Sequence, residues 1–254
     1  MSNSAAEPSV GQGNLISYLN TANDISEIAV KHHSSSIELL VQMDEMLKQA
    51  CVQVAEDQPI PSGLLNVNCR ILFLSAVRIA MSGHVAPLHP LLRASLESAY
   101  YAQAIAIDPS LGSIWMRGAR DKESRKARHQ AFSGKILDQV GERLKSELID
   151  ADKLIRDLYQ RHIDNGAHPN ASGIFFGMEI GETQDQWLLN ISAGSSTTID
   201  HALYVCFDSA IFSALIIANW PEVPKTMYPE FKRLMTARNT WEDRLAAAHR
   251  AATK

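Results

Sequence analysis

Two short runs in this chain combine residue types that could hold a ligand or move protons. In the first, His89, Arg93, Glu97 and Tyr101 recur every four residues. On a helix that spacing places all four on one ridge. The intervening positions are mostly Leu, Ala and Ser, so the ridge interrupts a surface otherwise suited to packing. A buried unpaired charge is costly, and Arg93 and Glu97 are therefore expected to pair with each other or with a neighbouring helix. Two readings stand side by side: an ion pair that fixes helix register, or a ligand site. The second run is richer in polar groups: Arg156, Tyr159, Arg161, His162, His168 and Asn170 lie within fifteen residues. A histidine near its free pKa exchanges protons at neutral pH, and an adjacent arginine can stabilise charge on a phosphoryl group. Arg156, Arg161, His162 and His168 are the catalytic candidates. Arg93, Glu97, Tyr159 and Asn170 are the binding candidates. The plainer alternative is that Asn165-Gly166 stops a helix and His168 caps its last carbonyls.

The segment Pro90-Leu-Leu-Arg-Ala-Ser-Leu-Glu-Ser-Ala99, followed by Tyr159 and then His168-Pro169-Asn170, resembles a group of bacterial and phage all-helical domains. Those in turn resemble the HEPN superfamily (higher eukaryotes and prokaryotes nucleotide-binding). The likeness covers roughly 64–170 and a helix near 199–220. It implies a dimeric, metal-independent endoribonuclease of a stress or phage-defence system, using an Arg-x4–6-His motif with a polar residue after the arginine. Arg156-Asp157-x4-His162 and Arg161-His162-x5-His168 both have that form. By this resemblance Arg156 or Arg161 would hold the scissile phosphate, and His162 or His168 would transfer protons. The reading from the residues alone keeps a second function open: a non-catalytic binding or interaction module whose Arg93–Glu97 ridge is structural.

Other chemistry finds no support. There is no phosphate-binding glycine loop, no His-Glu-x-x-His, no paired Cys-x-x-Cys and no Gly-x-Ser-x-Gly, so neither a metal nor a cofactor is expected. A formal charge of −4 excludes a polycation that seeks phosphate along its whole surface. A local basic run, Arg117, Arg120, Lys122, Arg125, Lys126 and Arg128, is either a solvated helix face or a patch for RNA. His32 and His33 read as surface or packing residues. The three cysteines, Cys51, Cys69 and Cys206, lie far apart in apolar stretches. They are expected to be reduced thiols of a cytoplasmic protein.

These residues must be carried by helices. Of 254 residues, 46% are hydrophobic and 20% charged, which suits a packed core. Residues 1–13 read as a flexible tail and 14–254 as one helical domain. Apolar residues at helical spacing predict helices over about 23–56, 64–82, 87–108, 110–132, 135–164, 199–220 and 228–249. The expectation is all-α: an antiparallel bundle of about six to seven helices, with a small β-hairpin or long loop inserted near 170–195. Residues 202–220 are apolar, but Asp208 and serines interrupt them, which favours a core helix over a membrane span. The apolar surface of two helices and of the insertion predicts a homodimer.

Overall fold

A computed structural model describes residues 15–53, 58–118, 120–132, 135–144, 151–167, 178–180, 187–189, 196–218 and 227–252. The tail expected at 1–13 lies outside them, as do His168, Pro169 and Asn170. The described chain is predominantly α-helical. Helices α1 (Leu15–His32), α2 (Ser34–Gln53), α3 (Ile60–Met81), α4 (Leu88–Ile107), α5 (Ser110–Arg117), α6 (Lys122–Ala131), α7 (Lys135–Leu144) and α8 (Ala151–His162) follow in order. A tight turn, Ile163–Ala167, closes α8. After the strands β1 (Met178–Ile180) and β2 (Trp187–Leu189) come α9 (Ser196–Ile217) and α10 (Tyr228–Ala252). The two strands pair antiparallel, Met178 opposite Leu189 and Ile180 opposite Trp187.

Ten α-helices among the described residues exceed the six to seven expected, because single breaks divide long apolar patterns. His33 separates α1 from α2, although the bonds from His33 N to Ala29 O and from Ile37 N to His33 O carry the helical ladder across it. Gly118, at φ +62°, ends α5. Asp121 then starts α6 by accepting from Ser124 N at 2.7 Å, an N-cap that satisfies a first-turn donor. The expected helix over 135–164 is α7 and α8, with 145–150 outside the described residues.

The centre of the fold is α9, buried along nearly its whole length and packed by α2, α3, α4 and α10. Helices α3 and α4 run antiparallel: Ser62 donates to Ala102 O, Cys69 meets Ser95, and Asn68 donates to Ser98. The turn between them uses a left-handed glycine. Gly83 (φ +79°) lets His84 N reach Ile79 O and Gly83 N reach Ala80 O, the paired bonds that close a helix C-terminus. Helix α8 lies antiparallel along α4, and α10 antiparallel along α9. Helices α3 and α9 are each long and apolar enough to cross a membrane, but α9 is enclosed by its neighbours. The three cysteines are free thiols, and burial pushes Cys69 up to about 11 and Cys51 up to about 12.

Candidate functional site

Helices α4, α8 and α9 meet along a seam of polar side chains. Of the ridge expected on α4, His89, Arg93 and Glu97 face α8, whereas Tyr101 packs on Phe132 and donates to its carbonyl at 3.4 Å. Arg93 Nε donates to Glu97 Oε1 at 3.0 Å and to Tyr159 Oη at 3.3 Å, and Tyr159 Oη donates to Glu97 Oε1 at 2.7 Å. The Arg93 guanidinium also lies over the Tyr159 ring, 5.2 Å from its centroid, a cation–π contact. One turn earlier, His89 Nδ1 is 3.1 Å from His162 Nδ1, and His162 Nε2 is 2.6 Å from Ser209 Oγ of α9. Two proton arrangements satisfy this chain. Either Ser209 donates to His162 Nε2 and His162 Nδ1 donates to His89, or both donations run in the opposite direction. Burial lowers both imidazoles, His89 to about 4 and His162 to about 3; the charges of His201 and Arg161 add to the shift at His89, and those of His89 and Arg161 to the shift at His162. Next to this chain, Asp208 on α9 is 1% exposed. It accepts from Arg238 Nε at 2.7 Å and Arg161 Nη2 at 3.2 Å.

The second run of candidates is not brought to one point. Arg156 points to Asp138 of α7, Nη1 to Oδ1 at 2.6 Å, while His162 turns inward and is 1% exposed. Six residues of helix place the two on different faces. Arg161 and His162 are adjacent in sequence but engage Asp208 and Ser209 separately. His168 and Asn170 lie outside the described residues. The basic run on α6 contains no buried residue.

A different group gathers where the α1–α2 joint, the start of α9 and the last turns of α10 meet. They bound a cleft of about 310 Å³ lined by His32, His33, Ser35, Ser36, Ser196, Thr197, Asp200, Arg244, Leu245 and Ala248. Ser196, the first residue of α9, has its Oγ 3.3 Å from His33 Nε2. Asp200, one turn along the same helix, has Oδ1 3.8 Å from His33 Nδ1. Ser36 holds that carboxylate at 2.8 Å and Arg244 holds it through both oxygens at 3.0 and 2.8 Å. Burial lowers the His33 pKa, opposed by Asp200 and assisted by His32 and Arg244, so the ring is neutral at pH 7. The first N–H groups of α9 have no acceptor within the helix, and its N-terminus carries partial positive charge. The opening thus combines donors for an oxygen-bearing group with a hydroxyl, a neutral imidazole and an apolar side at Leu245 and Ala248.

Sequence reasoning passed over this cleft. His33 read as a surface or packing residue, and the helix that forms α9 was expected to begin near 199, three residues after Ser196. The single local signal is Ser196-x3-Asp200, one helical turn. His33 lies 163 residues away from Ser196. Among the described residues no three His, Cys, Asp or Glu side chains are arranged to hold a metal ion. Comparison with models of known families, with curated proteins and with solved structures finds no match for this chain.

Proposed function

We propose that this protein is a helical binding module: the α4–α8–α9 seam is its structural lock, and the cleft at His33, Ser196, Asp200 and Arg244 receives a small molecule bearing a carboxylate or carbonyl oxygen. The observation that carries this reading is a contrast of access. His33, although only 7% exposed and flanked by Ser196 and Asp200, lines an open cleft, whereas His162 is 1% exposed and enclosed between His89 and Ser209. A ribonuclease built on Arg156, Arg161 and His162 requires that imidazole at a solvent-accessible phosphate, and the seam holds it away from solvent. The Arg93–Glu97 pair, closed by Tyr159, joins α4 to α8.

The same proposal includes a homodimer. Helix α3 exposes Ile60, Leu64, Val67, Ile71 and Leu74, between 40 and 77% accessible. Their alternating four- and three-residue spacing is the seam pattern of two helices wound together, and a second copy of α3 supplies the same pattern in return.

Histidine side-chain NMR during titration with sodium acetate and inorganic phosphate tests the ligand site. The His33 ring resonances and the Ser196 and Thr197 amides are expected to move together, while His89 and His162 stay still. Movement at His162, or none at His33, defeats the reading.

A further inference from the structure

The cleft contains more than a binding site requires. Ser196, His33 and Asp200 stand in the order hydroxyl, imidazole, carboxylate, with Ser196 Oγ facing His33 Nε2 and Asp200 Oδ1 facing His33 Nδ1. Three features of the surroundings fit nucleophilic chemistry. The hydroxyl is exposed and opens the 22-residue helix α9, so the following backbone N–H groups lie beside it as donors for a developing oxyanion. The carboxylate is fixed by Ser36, which donates to the same Oδ1 that faces His33, and by Arg244 through both oxygens, which limits its rotation beside the imidazole. Leu245 and Ala248 give the cleft one apolar wall. At 3.3 and 3.8 Å the contacts are longer than those of an engaged set. Such contacts are commonly loose without substrate and tighten on binding. A shorter Ser209–His162–His89 chain exists in the seam, but burial denies it any substrate.

We infer that Ser196 is the nucleophile of an acyl hydrolase acting on small carboxylic esters, with His33 as general base and Asp200 as a positioning residue. This rests on the reading that the cleft takes a ligand. Ser196 Oγ attacks the ester carbonyl carbon, and its proton passes to His33 Nε2. The tetrahedral adduct, its oxygen received at the α9 N-terminus, expels the alcohol, which leaves with the proton from His33. Water then repeats the sequence: it attacks the acyl-Ser196 ester, gives its proton to His33, and releases the acid as Ser196 regains a proton. A pocket of about 310 Å³, at the lower end for ligand sites, limits the acyl group to a short chain. His33 serves only as its neutral form. The charged and titratable groups facing it are Asp200 on α9, Arg244 on α10 and the adjacent His32.

The test is covalent capture by a short-chain alkyl fluorophosphonate on the full chain. In this reaction the Ser196 Oγ–P bond forms, the P–F bond breaks, fluoride leaves, and the hydroxyl proton passes through His33 to solvent. Intact mass and peptide mapping are expected to place one adduct on Ser196. The adduct is absent in Ser196→Ala, about 100-fold slower in His33→Gln, and unchanged in Ser113→Ala, an exposed serine of α5 outside the cleft. Ser196→Ala replaces an exposed hydroxyl and should melt with wild type. For Asp200→Asn, the rise of p-nitrophenyl acetate hydrolysis with pH should move to lower pH, because the carboxylate that raises the His33 pKa is gone, a change that mere loosening of α9 would not produce. Labelling of another serine, or no labelling while the hydrolysed phosphonate still shifts the His33 resonances, overturns the nucleophile and leaves the binding reading standing. Neither labelling nor shift removes both.

Discussion

His162 and His89 face each other across α8 and α4 with no carboxylate between them, so a proton added to either ring is buried without an anionic partner. That fixes the sign of their effect on stability. Each folded-state pKa, about 3 for His162 and about 4 for His89, lies below the unfolded value near 6.5. The unfolded chain therefore binds more protons as pH falls, and stability is lost from pH 6.5 downward until the folded rings themselves protonate near 4 to 3. His33 and His84, also lowered by burial, add to the same slope. Between pH 6.5 and 4.5 few ordinary carboxylates titrate, so the melting temperature in that window reports the histidines. Wild type is expected to lose on the order of a few kcal/mol across it. His162→Gln keeps a polar group toward Ser209 but removes the titration; it should melt lower at pH 7 and show a distinctly flatter slope. An unchanged slope in the variant would mean that the seam histidines are already accessible to protons, and the structural-lock reading would lose its basis.

At the scale of elements, the turn Ile163–Ala167 decides where α8 ends and so where His162 meets His89. Gly166 sits there at φ +139°, and a Cβ would lie 3.0 Å from Ala86 O, in the segment leading into α4. Gly166→Ala therefore suffers both backbone strain and a clash with a carbonyl, and is expected to cost about 1–3 kcal/mol. Gly63, inside α3 with nothing near its added Cβ and no left-handed φ, provides the control. Gly63→Ala should be neutral or stabilising by up to about 1 kcal/mol. Urea unfolding of both variants checks the pair, and equal midpoints would refute the assignment of the turn.

These elements also mark what was readable in the residues. The periodic cores of α3, α4 and α9 and the stop at Gly83 were legible, because apolar spacing and a left-handed glycine are local signals. The joint at His33 was not, since the helical bonds continue through it. The break at Gly118 was not legible either, since it falls inside the apolar pattern that predicted one helix over about 110–132. The ridge of His89, Arg93 and Glu97 was legible from its spacing, and Tyr159 was named, but its closure onto Glu97 needed α8 folded back along α4. Ser209, Asp208 and the cleft around His33 were invisible for the same reason: each joins elements distant in sequence, and a lone serine or histidine in a helix carries no sign of its partner.

At the scale of the whole molecule, the regular exposed apolar stripe on α3 is the surface that invites a partner. Helix α3 buries its other side against α4 and α9, while Ile60, Leu64, Val67, Ile71 and Leu74 remain accessible. An apolar row of this kind rarely stays uncovered on a monomer. None of its five residues is charged, and the nearby Arg70 is held by Asp44 through two hydrogen bonds, so no like charge opposes pairing with a second α3. In a two-fold helix pair the middle of the stripe meets its own copy, and that middle residue is Val67. Val67→Glu sets two carboxylates against each other at the symmetry axis and should weaken association at least tenfold, about 1.4 kcal/mol. The exposed position leaves the monomer's core untouched, so far-UV circular dichroism should match wild type. Light scattering with size exclusion at micromolar concentration is expected to give twice the 28.0 kDa chain mass for wild type and the single mass for Val67→Glu. A wild-type mass of one chain removes the dimer. If that monomer instead sediments with phosphatidylcholine vesicles and Val67→Glu does not, the occupant of the stripe is a lipid surface rather than a second copy.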